Sequence, residues 1–511
     1  MSDSKRASGI LLHPTSLPGR FGIGDLGQPA YRFADFLAAG AQSFWQVLPL
    51  GPTGFGDSPY QCLSAFAGNP LLISLDGLAT EGLLDSRELT HAPQFPVRTV
   101  DFPAVIAFKG DMLRKAFDRF RSAAGGKARD DFSAFIRKHA RWLEDYALYQ
   151  ALKDAQGGRP WSEWPRALAL REPEALSSAG KELEHEIEAV KFCQYLFFKQ
   201  WLELREHCHR CGIRIIGDIP IFVAYDSADV WAHPRLFKLN RDGTLKVVAG
   251  VPPDYFSATG QRWGNPIYNW SRLRKDGYRW WVERFRSVFE LTDVVRVDHF
   301  RGFAACWEIP AREPTAVKGR WVKVPGMQIL NAVKQEFDEL PVIAEDLGVI
   351  TPDVIALRER FGFPGMRILQ FAFRDEENID LPHNYVANTV VYTGTHDNDT
   401  AVGWFHSQAG KGSTRSAEQI ERERAFCLEY LNTTGKEIHW DFIRAVLASV
   451  SATAIIPLQD VLGLDSSARM NTPATQEGNW RWRFAAEDIT PAARDRLKRL
   501  TELYGRRQIF L

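Results

Sequence analysis

The chain lacks an excess of charge of either sign. Its 511 residues carry 63 Lys and Arg against 63 Asp and Glu, a formal net charge of zero. Nucleic-acid binding draws on surplus basic residues that displace phosphate counterions, and a polybasic membrane patch needs the same surplus, so both are excluded as expectations. Cysteine is scarce: six in 511 residues cannot form a disulfide framework. The run His207-Cys208-His209-Arg210-Cys211 has no second Cys/His pair at zinc-finger spacing, so it reads as the polar end of a helix before the strand-like Ile213–Ile216, and no metal is expected. No stretch approaches 18 uninterrupted apolar residues, which removes a membrane-spanning helix. The apolar run Gly9–His13 is too short for a signal peptide core. Reduced thiols and a cytoplasmic location are the expectation. Internal repeats, low-complexity tracts, a G-x-S-x-G elbow, a P-loop and H-E-x-x-H are all missing, so the mechanisms that rest on them have no support.

What is present is an ordinary globular balance, 45% apolar and 25% charged, with many aromatics: 16 Trp, 13 Tyr and 33 Phe. These either fill the core or form stacking platforms for flat ligand faces, and composition alone does not separate the two. Eight short apolar runs end in polar or glycine-containing clusters: Gly9–His13, Phe44–Leu50, Ile213–Val223, Val294–Phe300, Val342–Leu347, Met366–Phe373, Val390–Thr395 and Ala454–Leu458. Eight is the number that a closed (β/α)8 (TIM) barrel requires. Several runs lack alternation, as expected of parallel strands covered on both faces. Roughly 160 residues separate the second run from the third, far more than a βα connection needs. Residues 75–205 therefore read as a mostly helical insertion, with helices expected over 107–123, 131–156 and 181–208. Residues 1–74 would carry the first barrel strands. Residues 206–511 would complete the barrel, with a loop-rich excursion at 225–281. Barrel enzymes place their chemistry on the loops at the C-terminal ends of the strands, so the insertions belong there and the acids closing each run are the candidates.

Three runs end in such acids. In Val294-Val295-Arg296-Val297-Asp298, period-two alternation puts Arg296 and Asp298 on one face, and an arginine beside a carboxylate favours its ionised form. That suits a nucleophile; a buried ion pair that only fixes the barrel is the plainer alternative. In Val342-Ile343-Ala344-Glu345-Asp346, two acids point to opposite faces. Burial and a like charge would raise a carboxyl pKa into the range of a general acid. Glu345 has the longer arm, while Asp346 could instead cap the helix that follows, and spacing leaves that choice open. The third is Gly394-Thr395-His396-Asp397-Asn398-Asp399, which also reads as an Asx-rich turn. If the barrel brings these acids together, two carboxyls about 5–5.5 Å apart serve retaining glycosyl transfer, one as nucleophile and one as acid then base.

Read in order, the motifs resemble the amylomaltases, also called 4-α-glucanotransferases or disproportionating enzymes, of the α-amylase superfamily. The resemblance spans nearly the whole chain. It rests on Gly9-Ile10-Leu11-Leu12-His13-Pro14-Thr15-Ser16-Leu17-Pro18-Gly19, Gly22-Ile23-Gly24-Asp25-Leu26-Gly27, Trp45-Gln46-Val47-Leu48-Pro49-Leu50-Gly51-Pro52 and Ser58-Pro59-Tyr60-Gln61. It continues through Asp218-Ile219-Pro220, Trp263-Gly264-Asn265-Pro266, Arg296 to Gly302, Ala344 to Gly348, Gly394 to Asp397, and Arg469-Met470-Asn471-Thr472-Pro473. The resemblance implies Asp298 as nucleophile, Glu345 as acid/base and Asp397 as the acid that stabilises the transition state. It implies that Tyr60, Asp218, Arg296 and His396 surround the glucose ring to which the enzyme becomes attached. It puts Tyr255 and Phe256, within Pro253–Gly260, on a loop covering the acceptor side, Trp263 and Asn265 along adjoining sites, and Asn471 and Pro473 on a further substrate-contacting loop. His299 is included as the neighbour of the nucleophile, although alternation turns it away from Asp298. Tyr60 has a plainer reading as a loop anchor, and Trp263 as a cover over the barrel rim. Cys62 departs from the serine common in the family.

The resemblance further implies α-1,4-glucans, maltooligosaccharides and amylose among them, as substrates, glucose as an acceptor, and no cofactor. A hydrolase on the same scaffold, a magnesium-dependent barrel enzyme using the three acids as ligands, and a non-catalytic glucan-binding protein are the alternatives.

Overall fold

All eight apolar runs become strands of one sheet. The computed structural model describes residues 6–123, 125–253, 259–348, 350–410, 415–475 and 477–508. Its strands are β1 (Ala7–Leu11), β2 (Phe44–Gln46), β3 (Arg214–Pro220), β4 (Val247–Val251), β5 (Gln261–Pro266), β6 (Val294–Asp298), β7 (Ala305–Pro310), β8 (Arg320–Lys323), β9 (Val342–Ala344), β10 (Gly365–Ile368), β11 (Thr389–Tyr392) and β12 (Thr453–Pro457). Eight of them pair in parallel in the order β10-β11-β12-β1-β2-β3-β6-β9. The two outer strands meet where the Ala344 amide donates to the Pro364 carbonyl (2.9 Å) and the Met366 amide to the Asp346 carboxylate (2.7 Å). The molecule is a (β/α)8 barrel with helical insertions.

Most strands are shorter than the apolar runs. The run from Phe44 continues past β2 for a single ladder bond, Val47 N to Ile216 O, and then meets Pro49, which has no amide to donate. The run from Met366 leaves β10 for a 3₁₀ turn at Leu369–Arg374.

Between β2 and β3 lie three long helices, α2 (Phe102–Ala123), α3 (Lys127–Ala155) and α4 (Glu184–Arg210); α1 (Gln28–Ala39) precedes them, between β1 and β2. In α4, Phe192, Leu196, Phe197, Trp201, Leu204 and Cys208 are buried at helical spacing. Glu184 and Glu186 in its first turn, and His207, His209 and Arg210 in its last, complement the helix dipole. The helices do not form a separate core: Phe117, Phe192 and Trp201 belong to the same buried cluster as Ile10, Trp45 and Val391 of the barrel. Trp201 also donates its indole hydrogen to the Leu291 carbonyl (2.8 Å).

The stretch 225–281, expected to be loop-rich, also contains β4 and β5. They join β7 and β8 in an antiparallel sheet ordered β5-β4-β7-β8. Local reading misses this sheet because the partners of β4 lie up to some sixty residues downstream, and pairing depends on cross-strand neighbours. No helix among the described residues is long and apolar enough to cross a membrane. All six cysteines are free thiols.

Candidate active site

β6 builds the centre. Val295 and Val297 are fully buried in the apolar core, while Arg296 and Asp298 share the other face. In the parallel register Arg296 lies opposite Asp218 of β3, and Val297 opposite Ala344 of β9, the residue before Glu345. Backbone pairing alone therefore sets Asp218, Arg296, Asp298 and Glu345 at one end of adjacent strands.

The Arg296 guanidinium donates to Asp218 Oδ2 (2.7 Å) and to Asp298 Oδ1 (2.9 Å). The Tyr60 hydroxyl donates to Asp218 Oδ2 as well (2.9 Å). Burial pushes the Asp218 carboxyl up to about 7 against the pull of Arg296, with the Asp298 charge adding to the rise. Among the described residues Asp218 Oδ1, buried, has no hydrogen-bond partner and is an acceptor left over for a polar ligand group.

Glu345 accepts two backbone amides: His299 N on Oε2 (2.6 Å) and Leu347 N on Oε1 (3.0 Å). These favour the carboxylate, yet burial and then the Asp298 charge outweigh them and push Glu345 up to about 7. Asp346 turns the other way. Its carboxylate accepts from Arg358 and from the Met366 amide, so it ties β9 to β10 and to helix Pro352–Arg360 without capping that helix's first turn.

His299 shows where strand alternation stops applying. β6 ends at Asp298, and His299 adopts φ +53°, in the left-handed region. That twist turns its amide to Glu345 and sets its ring edge-on to Trp263, centroids 4.8 Å apart. Burial drives the His299 imidazole down to about 4, so it is neutral at pH 7.

Asp397 arrives differently. It lies five residues past the end of β11, in a turn held by side chains. Asn471 donates to Asp397 Oδ1 (2.6 Å), Arg469 to the Asp397 carbonyl (2.7 Å), and Gln370 to the Asp399 carbonyl (2.7 Å). Asp460 accepts from Thr393 Oγ1 and from the Ala401 amide, one on each side of the turn. The His396 ring stacks on Tyr60 at 5.0 Å, and Trp480 packs against both rings. Tyr60 feels the charges of Asp218, Arg296, Asp298 and Asp397 together, which places the acids of all these strands around one phenol.

The remaining expected residues divide. Asn265 is buried and donates to the Val223 carbonyl (2.9 Å), so it holds the loop after β3. Trp263 donates to Gln261 Oε1. Pro473 is exposed, two residues past Asn471. Tyr255 and Phe256 lie outside the described residues. The half-buried Cys62 thiol donates to the Pro59 carbonyl in its own loop. Sequence reasoning missed His13, Arg469, Asp460, Gln370 and Trp480. Burial holds His13 down at about 3, with His396 beside it. His13 and Arg469 lie within the segments that carry the family resemblance, Gly9–Gly19 and Arg469–Pro473; for the other three no local signal exists, since their partners are distant in the chain.

A family model described as 4-α-glucanotransferase matches residues 12–489. The chain is 51% identical over 506 residues to a 4-α-glucanotransferase of Thermus thermophilus, covering 97% of this chain and 98% of that one. It is 50% identical over 508 residues to that of Synechocystis sp., covering 98% of each. The solved amylomaltase of Streptococcus agalactiae in complex with acarbose superposes with a TM-score of 0.93 at 41% identity, covering 98% of this chain and 100% of that one. A barrel carrying three acids at its strand ends, matched over nearly its whole length, belongs to the 4-α-glucanotransferase family.

Proposed function

We propose that the protein moves α-1,4-glucan segments from a donor glucan to the 4-hydroxyl of another glucan or of glucose, with retention at the anomeric carbon. Asp298 is the nucleophile, Glu345 the acid/base, and Asp397 the acid that holds sugar hydroxyls as the ring distorts. The observation that carries this reading is the pairing of Asp298, held by Arg296, with a neighbouring Glu345 pushed up to about 7.

The chemistry follows from that pairing. Asp298 Oδ attacks the anomeric carbon while the Glu345 proton passes to the departing glycosidic oxygen, and the reducing-end fragment leaves. Esterification removes the Asp298 charge, one of the two influences that keep Glu345 protonated. The Glu345 pKa thereby falls, so its carboxylate stays ionised and free to accept a proton just when a base is required. It takes the proton from an incoming 4-hydroxyl, which displaces Asp298 and restores the α configuration. Arg296 pairs with Asp218 throughout and balances Asp298 while that carboxylate is ionised, before attack and after release. The free Asp218 Oδ1, the Tyr60 hydroxyl and neutral His396 supply hydrogen bonds to the bound ring. Trp263, whose ring meets that of His299 next to Asp298, offers an apolar face that favours a saccharide over water. The chain's own side chains supply both proton transfers and the nucleophile, so the proposal needs no cofactor, and free thiols suit a cytoplasmic enzyme.

Product analysis tests this. Maltotriose should give glucose and a ladder of longer glucans. Accumulation of glucose and maltose alone would identify a hydrolase instead.

A further inference from the structure

The last turn of α4 carries His207, and Cys211 caps it. Four residues apart, they share one helical face. Across from them α1 presents Asp35, 172 residues earlier in the chain. The three ligand-type atoms close a small triangle: His207 Nε2 to Asp35 Oδ1 is 2.9 Å, Cys211 Sγ to His207 Nε2 3.6 Å, and Cys211 Sγ to Asp35 Oδ1 3.7 Å. Tetrahedral zinc, with sulfur at about 2.3 Å and nitrogen or oxygen at about 2.0–2.2 Å, requires ligand separations of roughly 3.3–3.6 Å. Both sulfur edges meet that within about 0.2 Å, and only the His–Asp edge, now a hydrogen bond, has to open. The Tyr31 ring packs on the imidazole at 5.0 Å and limits its rotation. Among the described residues no Lys or Arg pairs with Asp35.

We propose that Asp35, His207 and Cys211 bind one borderline-soft divalent cation, zinc fitting best, with solvent in the fourth position and the ion joining α1 to α4. The donor set of one thiolate, one imidazole and one carboxylate excludes magnesium and calcium, which take oxygen ligands. On binding, the Cys211 proton leaves to solvent, the imidazole coordinates as the neutral base, and the two anionic ligands balance the ion's charge. The sequence shows two of these ligands on one helix; the third arrives only when α1 packs against α4. The site lies on the outer helices, apart from the acids at the strand ends, and transfer activity does not depend on it.

The test is titration of the reduced, chelator-stripped full-length protein with cobalt(II), then competition with zinc. One equivalent should produce a near-ultraviolet thiolate-to-cobalt band and the strong visible absorption of a tetrahedral ion, both removed by stoichiometric zinc. Cys211→Ser should abolish the band. Asp35→Asn and His207→Gln should weaken zinc binding by roughly 100-fold or more, the upper end of what losing even an outer hydrogen bond to a ligand does. Zinc should raise the melting temperature of the wild type and not of Cys211→Ser, and the variants should keep wild-type transfer. No cobalt band at one equivalent, a band that survives in Cys211→Ser, or weak octahedral absorption would each overturn the proposal.

Discussion

Two parts of the active site reach their positions by different means. Asp218, Arg296, Asp298 and Glu345 stand on or beside β3, β6 and β9, where parallel backbone pairing fixes the register, and Glu345 is further gripped by two amides. Asp397 stands in a turn beyond β11, where Asn471, Arg469, Asp460 and Gln370 hold it from other segments. Backbone-set geometry survives most side-chain changes, because a ladder bond does not depend on the residue that makes it. Side-chain-set geometry fails one contact at a time. Asp298 and Glu345, the proposed nucleophile and acid/base, are thus preorganised by the fold, whereas Asp397 depends on a network of individual residues.

The largest effect is expected from Asp298→Asn, which removes the proposed nucleophile and leaves the strand: transfer from maltotriose should fall by roughly 10⁴-fold or more with the melting temperature nearly unchanged. Retained transfer would end the assignment. Glu345→Gln should lower transfer by about 10²–10⁴-fold. An α-glucosyl fluoride donor, whose leaving group needs no proton, should restore much of the first step; equal losses with both donors would deny Glu345 its acid role.

Next comes the direct test of the two kinds of support. Asn471→Ala removes a hydrogen bond to a charged group, about 1.5–3 kcal/mol, and should lower kcat by roughly 10–150-fold. Val297→Ala, in the apolar core beside the nucleophile, should cost about 1–3 kcal/mol of stability and leave kcat within a few-fold. If kcat fell with Val297→Ala and held with Asn471→Ala, the comparison would be inverted.

Two smaller effects concern pH. With Glu345 at about 7, kcat/KM for the donor should decline above that pH, because the free enzyme needs the protonated acid; a profile flat to pH 9 would contradict it. His13 is held neutral down to about 3, below its unfolded value of 6.5. Between those values the unfolded chain binds a proton that the folded one does not, so His13 lowers stability as pH falls from 6.5 toward 3. Relative to His13→Asn, the wild type should lose up to about 1.4 kcal/mol per pH unit in denaturant melts at pH 7, 6 and 5. Parallel curves would show that His13 takes its proton in the folded state.

The eight apolar runs, the helices between the second and third of them, and the acids closing three runs are all readable from the chain, since each is a local pattern. Adjacent Glu345 and Asp346 point apart by alternation, but which faces Asp298 is decided by β10 and Arg358 capturing Asp346. Alternation misdirects at His299 because the strand ends one residue earlier and φ turns positive. The sheet formed by β5, β4, β7 and β8 and the buttresses Asp460, Gln370 and Trp480 carry no local sign, because their partners are remote in the chain.

From the order of residues alone came the barrel, its insertions and the chemical types at its mouth, for hydrophobic period and strand-end acids are properties of neighbouring residues. Tertiary structure decided which acids share charge, which carboxyl is raised toward neutrality, and which helices bring Asp35 to His207 and Cys211. Those depend on distance and burial, which exist only after remote segments pack together.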